Sequence, residues 1–209
     1  MNGPIMQYIL LIILWILWFT VHSGMISLTV TRYTKAKLGQ YYRFYRLLFN
    51  LVALLTLVPL IFYSQNLKGN VIFRWDGSLL FVQLFLGAVS SALFFAGALK
   101  YDLLEFLGIR QIISGKSYST LSESGEIAGS GILNVTRHPW YLGAIIFVWI
   151  DYREMYVSKL IVSILLTVYL VTGTILEERK LVLEIGDSYR GYKNRVSMLF
   201  PIKWIISKL

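Results

Sequence analysis

MQYILLIILWILWFTVHSGMISL occupies residues 6–28. An apolar run of about 20 residues crosses a bilayer core as a helix. A secretory signal would show a basic n-region, a shorter apolar stretch and a small-residue cleavage site, and this segment has none of them. It therefore reads as a true membrane helix, with Trp15, Trp18 and the titratable His22 on it. Further apolar runs follow at 47–64, 79–99 and 157–176, with a shorter one at 139–150. The spacing predicts an all-α polytopic membrane protein of about five transmembrane helices, ending in a helical hairpin and a cytoplasmic amphipathic tail. The chain of 209 residues is 56% hydrophobic and 15% charged, too apolar for a soluble domain of that size. It reads as one integral-membrane domain, 1–209. Residues 1–100 form a three-helix part, 101–138 a cytoplasmic loop, and 139–209 the closing hairpin and tail.

The net charge is +9, and its placement carries the information. Arg32, Lys35, Lys37, Arg43 and Arg46 follow the first helix, and only Lys68 and Arg74 follow the second. Lys100, Arg110, Lys116 and Arg137 lie between the third and fourth, and Arg153 and Lys159 follow the fourth. The tail beyond residue 176 holds the other seven cations. Loops rich in Lys and Arg stay cytoplasmic. The alternation thus predicts an external N-terminus, a cytoplasmic C-terminus and basic segments against an anionic leaflet. The cations belong to short juxtamembrane loops, which argues against nucleic acid as a partner. There is no cysteine, so disulfides, thiolate metal sites and a cysteine nucleophile are excluded. No metal site is expected.

Along the chain, 31–46 reads as a basic, Tyr-rich interfacial segment and 64–78 as a short outer loop with turn residues. Pro59 lies inside the second helix. Gly87, Ser91 and Ala98 mark a small-residue packing face on the third. The Ser/Gly-rich stretch 114–131 is loop chemistry, and Gly115-Lys116-Ser117 lacks the upstream glycine and strand of a phosphate loop. Pro139 suits a helix's first turn. The run 140–150 is too short to span alone, so either DYREMY extends it or the hairpin crosses only partly. After Ile185, Gly186 stops the fifth helix. A second amphipathic helix then carries Tyr189, Tyr192 and Val196 on one face.

Two polar clusters meet at one end of this hairpin: Arg137-His138 at its entrance and Glu177-Glu178 at its exit. A simple Arg–Glu ion pair accounts for them as well as a binding site does. The ordered set Arg137-His138-Pro139, Tyr141, Glu177, Glu178, Leu181, Gly186, Tyr189, Tyr192, Val196 and Pro201 resembles the isoprenylcysteine carboxyl methyltransferase family over the last third of the chain. HSGMISLT in the first helix and DLLEFLGIRQI after the third are similar to bacterial branches of that superfamily, including membrane thiol S-methyltransferases.

The resemblance implies S-adenosylmethionine as cofactor and a hydrophobic thiol or lipid-like acceptor arriving from the bilayer. It implies that Arg137, His138, Tyr141, Leu142, Gly143, Glu177, Tyr189 and Tyr192 bind the cofactor. Glu178 would lie closest to the reacting centre, and His22 is a candidate base with a plain packing role as its alternative. The family's eukaryotic members carry an arginine about one turn before the paired glutamates; Val171-Thr172-Gly173-Thr174 offers no cation there. That departure weakens the case for a prenylcysteine carboxylate as acceptor; a small hydrophobic thiol fits as well or better, and a lipid amine stays open. The competing classes are an NADPH-dependent membrane sterol-type reductase and a non-catalytic assembly subunit.

Overall fold

The computed structural model describes residues 3–67, 69–99, 103–114 and 131–209. The Gly115-Lys116-Ser117 stretch and most of the Ser/Gly-rich segment lie outside the described residues. Among the described residues, four helices have the length and apolarity of membrane spans. They are α1 (Pro4–Ile26), α3 (Tyr45–Asn66), α4 (Leu79–Ala98) and α8 (Val157–Ile185). Leu28–Leu38 forms α2, Leu103–Leu107 α5 and Ile109–Ser114 α6. Pro139–Ile150 forms α7, Asp187–Arg195 α9 and Ile202–Ile206 α10. A two-stranded ribbon pairs β1 (Val71–Arg74) with β2 (Glu154–Tyr156). The protein is an all-α integral-membrane fold, with one small ribbon among the described residues. Outward-facing side chains such as Leu55, Phe81, Phe85 and Val168 are exposed, as a lipid-facing surface requires.

The described residues fall into two compact units. One holds 3–67, 69–73, 103–114 and 155–165; the other holds 74–99, 131–154 and 166–209. In the first, α1 packs on α3. Trp15 Nε1 donates to Ser64 Oγ and Trp18 Nε1 to Thr56 Oγ1, each at 3.0 Å, and Tyr45 OH donates to the Met25 carbonyl at 2.7 Å. Ser27 ends α1 by donating to the Gly24 carbonyl and starts α2 by accepting from Val30 N. The segment expected as an interfacial stretch is therefore mostly helical, because no Gly or Pro interrupts it before Gly39, at φ +52. Glu105 of α5 is buried, paired with Arg46 at 3.5 Å and with Gln111 at 2.7 Å. Asn50 caps the Phe106 and Leu107 carbonyls. Gly108 (φ +87) permits this docking: a Cβ there would lie 2.8 Å from Leu47 N.

In the second unit α7 runs along α4. The seam is Gly87, Ser90, Leu93 and Gly97, spaced as one helical face. This corrects the face read from Gly87, Ser91 and Ala98. Ser91 lies about 100° away and is exposed, whereas Ser90 is buried and donates to the Gly143 carbonyl at 2.9 Å. Trp140 Nε1 donates to the Phe94 carbonyl at 2.9 Å. At its far end, Gln83 Nε2 caps the Ile150 and Tyr152 carbonyls at 2.7 and 2.8 Å. Gln83 thus satisfies the last carbonyl of a helix of about 18 Å, which is shorter than the roughly 30 Å hydrocarbon core. DYREMY does not prolong α7: its second half is β2, drawn into the ribbon by the β-prone VIFR of β1.

Candidate functional site

The mouth of α7 is held by backbone pairing. Thr136 and Ser197 form a parallel bridge; Arg137 N donates to Ser197 O at 3.0 Å and His138 N to Met198 O at 3.2 Å. Thr136 Oγ1 adds a bond to Met198 O. His138 precedes Pro139 in a non-helical conformation, so its side chain and that of Arg137 are fixed at the helix entrance. On the other side, Gly186 (φ +72) turns the chain from α8 into α9. Tyr189 and Tyr192 bury themselves with Leu181, as the spacing predicts, whereas Val196, expected on the same helix, joins them from just beyond its end in extended conformation. Tyr192 OH donates to the Leu133 carbonyl at 2.6 Å, tying α9 to the short helical turn Gly131–Asn134.

Glu178 is the hub. Its buried Oε1 accepts from Arg137 Nε at 2.5 Å, meets His138 Nε2 at 3.3 Å and accepts from Tyr189 OH at 3.3 Å. Its Oε2 meets Lys193 Nζ at 3.2 Å. Arg137 also donates Nη1 to the carbonyls of Lys193 and Val196, so one guanidinium binds the carboxylate and closes the C-terminal end of α9. Burial holds both tyrosines neutral. It pushes the Tyr192 hydroxyl up to about 12, and it raises Tyr189 further, with the Glu178 charge adding to the effect.

The structure thus brings together Arg137, His138, Glu178, Tyr189 and Tyr192. Tyr141 stands beside them, its ring edge-on to His138 at 5.7 Å and against Gly173. That glycine belongs to the stretch 171–174, which carries no cation, and the Tyr141 ring would lie 3.5 Å from a Cβ placed there. Glu177 is half-buried and joins no ion pair among the described residues. Leu142 faces the apolar core with Leu93, Ile145 and Leu199, and Gly143 faces α4. His22 belongs to the first unit, stacked on Trp18 at 4.8 Å and tilted against Phe49 at 5.0 Å. Lys193 is the site residue that the sequence reading missed. Its signal was its position four residues after Tyr189, on the buried face of α9. No metal-binding cluster of His, Asp or Glu occurs among the described residues.

The family described as NnrU protein matches residues 10–200, nearly the whole chain. The chain belongs to that family. This NnrU-family chain is also 39% identical over 70 residues to the methanethiol S-methyltransferase of Pseudomonas deceptionensis, covering 34% of the chain and 26% of that protein. It is 46% identical over 65 residues to methanethiol S-methyltransferase 1 of Bradyrhizobium diazoefficiens, covering 31% and 22%. The enzyme of the same name from Crocosphaera subtropica is 27% identical over 148 residues, 68% of the chain and 55% of that protein. The NnrU-family chain therefore spans between about a fifth and just over half the length of these relatives. They bear out the superfamily resemblance and its thiol S-methyltransferase branch. No solved structure matches the chain.

Proposed function

We propose that this protein is an integral-membrane methyltransferase that moves a methyl group from S-adenosylmethionine to a small hydrophobic thiol. The observation that carries the reading is the buried Glu178 carboxylate between α7, α8 and α9, held by three side chains on one oxygen and by an ammonium on the other. A carboxylate that already accepts an ammonium fits the α-ammonium of a methionine-type donor. His138 and Arg137 fix its orientation, and the buried Tyr189 and Tyr192 close the site behind it. When bound, the donor supplies an electrophilic methyl group on a sulfonium.

Around such a donor this chain's task is to orient and to exclude water; positioning alone is worth about 7–11 kcal/mol of barrier. The absence of a cation over 171–174, and the Tyr141 ring against Gly173, support a small neutral or thiol acceptor over a prenylcysteine carboxylate. The distribution of Lys and Arg supports a cytoplasmic C-terminus, with this site at the cytoplasmic face. α7 is then the short fifth crossing.

The decisive experiment incubates the detergent-purified protein with S-adenosylmethionine and methanethiol and follows dimethyl sulfide in the headspace, alongside calorimetric titration with S-adenosylhomocysteine and NADPH. Dimethyl sulfide formation with saturable binding of S-adenosylhomocysteine is expected. Binding of NADPH in its place would overturn the reading in favour of a reductase, and binding of neither would leave a non-catalytic membrane component.

A further inference from the structure

Arg137 is the obvious cation for a carboxylate ligand, but its hydrogen bonds are engaged. Its Nε and Nη2 lie at 2.5 Å from Glu178 Oε1, and Nη1 donates to two backbone carbonyls. Of five N–H donors at most one is left, on a side chain only 6% exposed. Lys193 is different. Its side chain is 36% exposed, and its ammonium meets Glu178 Oε2 from the opposite side at 3.2 Å. Among the described residues, Lys193 alone meets that oxygen. Lys193 is also tethered by its backbone, since its carbonyl is one of those bound by Arg137. Its side chain is thus free to swing while its Cα stays in place.

Resting on the methyl-donor reading above, we infer that Lys193 is the donor's carboxylate-recognition residue and that in the free protein its ammonium stands in for the donor's α-ammonium on Glu178. Ligand entry exchanges one ammonium for another on Oε2. The displaced Lys193 then meets the neighbouring α-carboxylate. The Glu178–Lys193 pair is therefore a matched receptor for an amino-acid zwitterion, and the Arg137 clamp remains closed throughout. The exchange keeps the buried carboxylate paired in both states, which avoids the penalty of an isolated buried charge.

The test compares two ligands by calorimetry: S-adenosylhomocysteine and S-adenosyl-3-thiopropylamine, the same molecule without its carboxylate. Wild type is expected to prefer the carboxylated ligand by about tenfold or more, the scale of one charge-assisted hydrogen bond. Lys193→Ala is expected to lose that preference, because the carboxylate loses its partner, while the decarboxylated ligand, no longer competing with Lys193 for Glu178, binds no more weakly than to wild type. Lys193→Arg is expected to retain the preference. The alanine variant leaves the backbone carbonyl that Arg137 binds, and a thermal melt confirms its fold.

Equal weakening of both ligands in Lys193→Ala would make Lys193 a structural partner of Glu178 and overturn the assignment. An unchanged preference would overturn it too. Failure of wild type to bind either ligand would sink the methyl-donor reading and this assignment together, whereas binding with a preference indifferent to Lys193 sinks this assignment alone.

Discussion

Arg137 and Glu178 form a buried ion pair at 2.5 Å across 41 residues of chain, and the same guanidinium closes the C-terminal end of α9. Removing one member leaves the other charged and desolvated, which costs about 3–5 kcal/mol. Glu178→Gln and Arg137→Met are each expected to lower the melting temperature sharply. The double variant Arg137→Met/Glu178→Gln is expected to cost less than the sum of the singles, by about 0.5–3 kcal/mol of coupling. Thermal unfolding in detergent closes the cycle. Additive losses would show that the pair does not act as a unit.

Tyr192 links stability to alkaline pH. Its hydroxyl donates to the Leu133 carbonyl at 2.6 Å, and burial pushes its pKa up to about 12 from an ordinary value near 10. The folded protein therefore holds this proton more tightly than the unfolded chain. Between pH 10 and pH 12 the unfolded chain binds fewer protons, so stability is full below pH 10 and falls as pH rises through that window, by up to about 3 kcal/mol. Tyr192→Phe is expected to cost about 1–3 kcal/mol at neutral pH, because the Leu133 carbonyl loses its donor, and to flatten the alkaline decline. Tyr189 retains its own share of that decline. Melting temperatures from pH 8 to pH 12 test this; identical slopes in both proteins would refute it.

The same residues show what a sequence discloses. The apolar runs set the spans because length and hydropathy alone decide membrane insertion. Gly186 followed by Tyr189 and Tyr192 disclosed the α8–α9 reversal because a breaker and a helical period are both local signals. The 41-residue separation of Arg137 and Glu178 was bridged only by residue type and resemblance. Ser90 against Ser91 shows the limit of small-residue patterns. Which of two adjacent serines packs depends on helix rotation, and the partner, Gly143, lies 53 residues away. The β1–β2 ribbon and the docking of Glu105 on Arg46 were equally hidden, since each joins segments distant in sequence.

The α4–α7 seam tolerates no bulk at Gly97. A Cβ there would lie 2.4 Å from the Trp140 indole, whose Nε1 is bonded to the Phe94 carbonyl. Gly97→Ala is expected to push the indole out, break that bond and cost about 1–3 kcal/mol. Gly87→Ala is the control: its Cβ would sit 3.7 Å from Ile150, in ordinary contact, so little change is expected. Trp140 fluorescence and the melting temperature report the difference, and equal behaviour of the two variants would refute the close approach at Gly97.

His22 is decided by the same kind of comparison. Its ring stacks on Trp18 and tilts against Phe49, contacts that a phenylalanine ring reproduces. If those contacts are its role, His22→Phe keeps stability within about 1.5 kcal/mol and leaves kcat with methanethiol within about threefold. That is the expected result. A general base contributes roughly 10²–10⁴-fold, so a loss of that size with unaltered S-adenosylhomocysteine affinity would make His22 the group that takes the thiol proton. The pH dependence of kcat separates the two: a packing residue leaves its profile in place, and a base removes the limb at which it titrates.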